Sequence, residues 1–508
     1  MTGRAKGWGL VGSTLAAWLF GCVFLFPPFT RETGFAGYAV IVFSLLPRLW
    51  FCHAQTATVF SLLESARTGR SNAPKPAPPV AVLYVTCDDF DAAACRSCIN
   101  QSYEGPFRVV VCDDSRTPEA KDEIDRFALQ NGLLVLRRPN RAGFKAGNLN
   151  HALRDHVREN IFAVCDADTL LPPRFLSEMV PSLCADQELA FVQARHRPRE
   201  AGSTRFGLWL GISIDLTYQH VFGGRNRRGF VPCFGHSIIA RRDIWRTMGG
   251  FPELLSEDLA FATRALALGR RGLYRADVVC EEYFPQNCAA LIAHATRVAV
   301  GGVQFWKREA SYVLQSRHVS LVEKADLLIT FSACFFPMAL LLSPIAGYLL
   351  ANFGGSAPPG CHPGSIITLS LVGPLFPLLG LLAHACARPI RVLRFIPLAS
   401  IAYGGMLPEL VWRVLNQLLT NPLGSFVPTG AVRARRFGLT STLIRLCGGA
   451  VLLVAAHVLC GSYAPAAMTT GVCLALSPLL TGRTNPFCMK MERATRSAAP
   501  VIPSDSLR

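Results

Sequence analysis

Long apolar segments bracket a region in which short apolar runs alternate with amphipathic ones. Residues 8–26 and 35–52 are apolar over a membrane-crossing length, the second interrupted by Pro47 and Arg48. Comparable segments return at 326–352, 364–386, 441–460 and 463–481. Each is expected to span a bilayer. Arg4 and Lys6 precede the first segment as in a secretory leader, but it outruns the usual leader core and lacks a small-x-small cleavage site, so it is read as a retained anchor. Residues 394–420 suit either a span or a Pro-kinked amphipathic helix lying in the interface. The basic stretches 388–394 and 433–445 flank it, and only an interfacial placement keeps both on the cytoplasmic side. About six spans result, with both termini and the region between the two sets of spans in the cytosol.

That region has a different rhythm. VAVLYVTC (80–87), FRVVVC (107–112), LLVLRR (133–138) and IFAVC (161–165) read as strands, with helices expected over 91–101, 117–131 and 145–158. Strands alternating with helices predict an α/β, Rossmann-like, mostly parallel sheet that binds ligands at the carboxyl ends of its strands. The chain then divides into an N-terminal transmembrane hairpin (1–70), a Pro-rich linker (71–79), a catalytic domain (80–310), a C-terminal transmembrane and interfacial domain (311–482) and a disordered cytosolic tail (483–508).

Composition narrows the function class. The 508 residues are 51% hydrophobic with mean hydropathy +0.31, and the formal net charge is +17. In so apolar a chain the positive charge reads as the Lys/Arg bias of cytoplasmic membrane loops. Nucleic-acid binding is excluded as the main reading because the arginines are scattered among loops, not interleaved with aromatics on one face. Of 18 cysteines, only Cys95 and Cys98 form a CxxC, and no second pair or nearby histidines complete a ligand set. A reducing cytosol is the simpler setting.

Acids follow the strands. Asp88-Asp89, Asp113-Asp114 and Asp166-Ala-Asp168 close three of these four strand-like runs. Asp166 and Asp168 fall on the same side of an extended stretch and suit one divalent cation, Mg²⁺ or Mn²⁺, bridging to a diphosphate; a surface turn or helix cap is the bland reading of the same pattern. Asp89 and Asp114 would edge a pocket for base and ribose, or cap the helices that follow. Gly143-Phe-Lys145-Ala-Gly-Asn148 lies between a strand and a helix, where Lys145 can reach a phosphate. Gly235-His236-Ser237 follows the apolar FVPCF, and Glu257-Asp258 opens a helix. A carboxylate there can serve as general base towards an acceptor hydroxyl, and Asp258 is assigned that role.

With these motifs in hand, block 80–310 resembles the inverting, processive family-2 glycosyltransferases, the membrane-embedded group that includes cellulose and hyaluronan synthases. The resemblance is carried by CDDF (87–90), VVCDDS (110–115), FKAGNLNHAL (144–153), CDADTLLP (165–172), VQ (192–193), GHSIIARR (235–242), GGFPELLSEDL (249–259) and EEYFPQN (281–287). It implies a GT-A fold and a nucleotide-sugar donor, a UDP-hexose, contacted by Thr86, Asp88, Asp89, Asp114, Lys145 and Asn148. It also implies metal on Asp166 and Asp168, catalysis at Asp258 with Glu257, and acceptor contacts at Gly235, His236 and Glu257. The family's Q-x-x-R-W aligns with His294-Ala-Thr-Arg297-Val298, so Arg297 would clamp the diphosphate while the acceptor-stacking Trp is Val298. Trp306 is the nearby residue that could substitute. Gly424–Gly430 is loosely similar to a gating loop, with Phe426 and Thr429 as its contacts. The implied partners are a polysaccharide or lipid acceptor and membrane lipid, and accessory subunits are left unspecified. The rival readings are single-sugar transfer to a lipid carrier and a transporter with a nucleotide-sensing domain.

Overall fold

The computed structural model describes residues 77–226 and 230–338, the helix Pro389–Thr420 and isolated positions elsewhere. Eight strands form one sheet: β1 (Val80–Thr86), β2 (Phe107–Asp113), β3 (Leu134–Arg137), β4 (Ile161–Asp166), β5 (Thr169–Leu170), β6 (Leu189–Pro198), β7 (Ile238–Arg241) and β8 (Arg271–Glu282). Their order is β3-β2-β1-β4-β7-β6-β8-β5. The first three helices fall at Ala92–Ile99, Pro118–Asn131 and Phe144–His151, the last continued by a π-helical turn at Ala152–His156. These are the helices the apolar pattern predicts.

Period-two alternation explains the layering. Ala81, Leu83 and Val85 of β1 face one core cluster, while Val80, Val82 and Tyr84 face another on the opposite side of the sheet. All six are nearly inaccessible, as expected of a strand buried on both faces.

The expectation of a mostly parallel sheet needs correction. Pairings β1·β2, β1·β4, β2·β3 and β6·β8 are parallel, but β4·β7, β6·β7 and β5·β8 are antiparallel. After β6 the chain passes through the helix Arg205–Thr217 and the stretch 230–237 before entering β7 from the opposite end. The sheet is therefore mixed, and β7 carries the 235–237 segment to the middle of the molecule. There Ser237 N donates to Val164 O at 2.7 Å and Ala194 N donates to Ser237 O at 3.0 Å.

The predicted membrane architecture lies largely outside the described residues. This holds for 364–386, the linker through residue 76 and the tail from 483, and nearly so for the first two segments and 463–481, whereas of 441–460 residues 442–443 and 445–451 are described and helical. Where the segment 326–352 is described, it begins inside the folded domain: the helix Leu321–Phe331 buries Asp326 against His53 and Arg225. Among the described residues one helix, Cys288–Arg308, has the length and hydropathy to cross a membrane, and more than half of its apolar window is buried in protein. The ambiguous segment 394–420 lies within one helix, Pro389–Thr420, whose Met406, Leu410 and Val414 recur every fourth residue and pack in one cluster with Leu291, Ala299 and Val303. Lys307 Nζ fixes the same contact by donating to Gln417 O (2.9 Å) and Leu418 O (2.6 Å).

Candidate active site

Parallel register gathers the acids at one edge. Thr86 pairs with Asp113 and Val85 with Asp166, so β1, β2 and β4 end together. They open onto a cavity of about 680 Å³, within the usual range for a bound small molecule. Thr86, Asp88, Asp89, Asp114, Lys145, Asn148, Asp166, Asp168, His236, Glu257, Asp258 and Arg297 all line it.

One end of the cavity is built on braced carboxylates. Asp89 Oδ1 accepts from Thr86 Oγ1 (3.0 Å) and Cys87 N (2.7 Å). Burial raises its pKa, and Asp166 and Asp88 add to the rise. Asp114 is gripped by Arg138, Nε at 2.9 Å from Oδ1 and Nη2 at 2.7 Å from Oδ2, with both side chains nearly buried. Asn148 Nδ2 donates to Cys112 O at 3.1 Å, and its buried Oδ1 has no protein partner, leaving one acceptor for a ligand. Asp88 behaves differently. Its Oδ1 accepts from Arg116 N (2.7 Å) and Thr117 N (3.1 Å) just ahead of the helix Pro118–Asn131, so its contacts favour the capping reading over a ligand contact.

Asp166 and Asp168 sit at and just beyond the end of β4. Lys145 Nζ lies 2.6 Å from Asp166 Oδ1 and 2.8 Å from Oδ2, and only Oδ2 is in hydrogen-bond geometry, so Oδ1 is a buried oxygen without a hydrogen-bond donor. The Asp168 carboxyl is pushed up to about 8 by burial and by Glu282, Asp166 and Asp89. A half-buried, oxygen-only donor set with surplus negative charge fits a hard divalent cation such as Mg²⁺ or Mn²⁺.

The base candidates stand on the helix Glu257–Ala267. Burial and the Asp258 charge push the Glu257 carboxyl up to about 8. Burial also raises Asp258, against the Leu259 N–H, Lys145 and Arg297, which favour its ionised form. Within the pair the proton therefore belongs on Glu257, leaving Asp258 ionised to accept one. Lys145 is itself held charged: burial opposes its charge, but Asp166, Glu257 and Asp258 overcome that. Gly235, at φ +78°, separates these groups. The left-handed backbone favours glycine, and a Cβ there would crowd Asp258 Oδ2 at 3.2 Å and Lys145 Nζ at 3.3 Å, so that one or both would have to give by a few tenths of an ångström.

Arg297 and His294 occupy one face of the helix Cys288–Arg308, one turn apart. The His294 ring is kept neutral, its pKa brought down to about 3 by burial and by Arg297, and its Nδ1 lies 3.4 Å from Arg297 Nη2 as an acceptor. Val298 lines the cavity. Trp306 does not: its Nε1 donates to Phe331 O at 3.1 Å and its ring packs against Phe305 and Phe335, so the expected substitution for Val298 does not occur. Phe426 and Thr429 lie outside the described residues. Residues the sequence reading passed over also reach the site, namely Arg138, Arg141, His196, Tyr218, Phe234 and Glu282. Only Glu282 had a visible signal, its place in EEYFPQN.

Residues 161–384 match the family described as "Glycosyl transferase family group 2". Among curated proteins, Glucomannan 4-beta-mannosyltransferase 7 of Arabidopsis thaliana is 29% identical over 257 residues, covering 48% of this chain and 45% of that protein. Probable glucomannan 4-beta-mannosyltransferase 3 of the same plant is 28% identical over 240 residues, covering 44% and 42%. The chain thus spans less than half the length of these relatives. Among solved structures, mannosyltransferase PcManGT from Pyrobaculum calidifontis, in complex with GDP-Man and Mn²⁺, is 20% identical with a TM-score of 0.49, covering 81% of this chain and 100% of its own.

Proposed function

We propose that this protein, whose residues 161–384 match a family-2 glycosyltransferase model, moves a hexosyl unit, with inversion, from a nucleoside diphosphate sugar to a hydroxyl of a growing β-linked polysaccharide. The observation that carries the proposal is the meeting of Asp258, Lys145 and Asp166 around Gly235. A base for the acceptor and a cation for the leaving phosphate thereby face a single point in the cavity.

Each residue has a task in this reading. Asp89 and Asp114 border the nucleoside, and Asn148 Oδ1 offers it an acceptor. Asp166 and Asp168 would hold Mg²⁺ or Mn²⁺, which when bound offsets diphosphate charge. Lys145 and Arg297 donate to the departing phosphate oxygens. Asp258 takes the acceptor proton, and Glu257, retaining its own proton, keeps a second negative charge away from the base. The mannosyltransferase names of the relatives support testing a mannosyl donor beside the UDP-hexoses. The apolar segments on either side of the domain support a membrane setting in which the product is exported through the protein's own spans.

Val298, where the family places a stacking Trp, favours a second reading, a single addition to a lipid-linked acceptor. One experiment addresses both. Purified protein is supplied with UDP-glucose, other UDP-hexoses or GDP-mannose with and without Mn²⁺, and nucleotide release and product length are recorded. Metal-dependent release with a product ladder supports the polymer reading, release with one addition supports the second, and no release from any donor defeats both.

A further inference from the structure

The helix Cys288–Arg308, which carries Arg297, has two working faces. Arg297, Gly301 and Gln304 recur at intervals of four and three residues and share one side of it. Ala299 and Val303 lie on the other side and pack with Met406, Leu410 and Val414 of the helix Pro389–Thr420. The first face meets the segment that leads into the base. Gly301 sets how closely the two approach, since a Cβ there would overlap Ser256 Oγ and come within 3.0 Å of Ser256 Cβ. No larger residue fits unless Ser256 moves away. Gln304, 2% exposed, supplies the bond: its Oε1 accepts from Leu255 N at 3.1 Å.

This bond matters because the start of the helix Glu257–Ala267 does not brace itself. Ser256 stands at its N-cap, where a serine hydroxyl ordinarily accepts a backbone N–H of the first turn, yet it makes no such bond. Asp258 Oδ1 accepts from its neighbour Leu259 N at 2.7 Å, and Oδ2 is the oxygen beside Gly235. The direction of the carboxylate therefore follows from where the backbone of 255–259 is placed. At the far end of the same helix, Arg264 Nε and Nη2 lie 2.7 and 2.8 Å from the carboxylate oxygens of the nearly buried Glu309, a fork that fixes that end against the close of the helix Cys288–Arg308. Gln304 is the hydrogen bond at the near end. It does not line the cavity, so it acts through the backbone it holds.

Resting on the transferase reading above, we propose that Gln304 is a positioning residue for the transfer step, holding the Leu255 N–H so that Asp258 stays at a fixed distance from Arg297 on the same helix. The base and the clamp on the leaving phosphate then move as one unit. A relative shift of about 1 Å between such groups is enough to remove much of the rate without touching substrate binding.

The test compares Gln304→Leu, which keeps much of the bulk and removes the acceptor, with Gln304→Glu, which keeps an acceptor oxygen, in the detergent-purified full chain. Turnover of the nucleotide sugar, Mn²⁺-dependent binding of GDP and UDP, and amide hydrogen exchange across residues 254–260 are measured on each. Gln304→Leu is expected to lower kcat at least about tenfold, with donor KM and nucleotide affinity within about twofold of normal, and to quicken exchange across the segment. Gln304→Glu should bring kcat back to within about threefold and slow the exchange again. The proposal is overturned if Gln304→Leu turns over normally, if nucleotide affinity falls in step with kcat, or if Gln304→Glu recovers nothing. Should the unaltered protein turn over no donor, the transferase reading fails and exchange decides the rest: quickening in Gln304→Leu that Gln304→Glu reverses leaves the brace standing, and unchanged exchange removes it too.

Discussion

Lys145 Nζ bridges both carboxylate oxygens of Asp166, at 2.6 and 2.8 Å. Its charge occupies the ground that a divalent ion and a diphosphate would share, so replacing it should separate the two. Lys145→Ala is expected to lower kcat/KM for the nucleotide sugar about a hundredfold, the scale of losing one charged contact to a leaving group. Mn²⁺ affinity should be unchanged or higher, because the competing cation is gone. Steady-state kinetics and Mn²⁺ titration check the two arms separately.

The buried acids set the pH response of the metal-free protein. Asp168 and Glu257 titrate at about 8 in the fold and near 4 when unfolded. A carboxyl whose pKa is raised by folding contributes stability that is complete below the unfolded pKa and lost as pH rises through the folded one. The Tm of metal-free protein should therefore fall as pH rises from about 5 to about 8. Mn²⁺ should raise Tm more at the upper end, where Asp168 has shed its proton. Thermal melts across this range with EDTA or Mn²⁺ measure both slopes.

Much of this site was legible as spacing. Apolar runs of β-branched residues located β1, β2 and β4, and acids at their ends pointed to one edge. What spacing could not show was which carboxylates were already engaged. Asp113-Asp114 and Arg137-Arg138 end adjacent parallel strands, and only the register, which sets Asp113 opposite Arg137, reveals that the two doublets pair. Asp88 looked equivalent to Asp89 until its turn, at φ +61°, aimed it at the next helix. The antiparallel entry of β7 left no local signal, and the placement of Gly235 beside Asp258 depends on it. Trp306 is close to Val298 in sequence, but on a helix a spacing of eight residues places it more than two turns away.

Gly235 is predicted to be irreplaceable for activity but not for folding. Gly235→Ala should cost roughly 1–2 kcal/mol of stability for its left-handed backbone. It should lower turnover at least tenfold, because the methyl group would intrude between Asp258 and Lys145. Comparing denaturation midpoints with kcat separates the two effects. A variant that turns over normally would mean that Asp258 and Lys145 need not meet at this point.

A buried ionic knot ties distant segments together. Asp326 is 1% exposed and holds His53, Arg225 and the backbone N–H of Phe230. Asp326→Asn leaves Arg225 without its counter-charge and is expected to cost about 3–5 kcal/mol. Chemical denaturation of the detergent-purified protein measures this, and donor binding in the surviving folded fraction should be normal.

The most direct test of the central claim is a comparison of Asp258→Asn with the unaltered protein, measuring donor binding and acceptor-dependent nucleotide release in the same preparation. If Asp258 takes the acceptor proton, donor and Mn²⁺ bind within about twofold of normal while transfer falls by at least about a hundredfold. Unimpaired transfer by the asparagine variant would contradict the assignment.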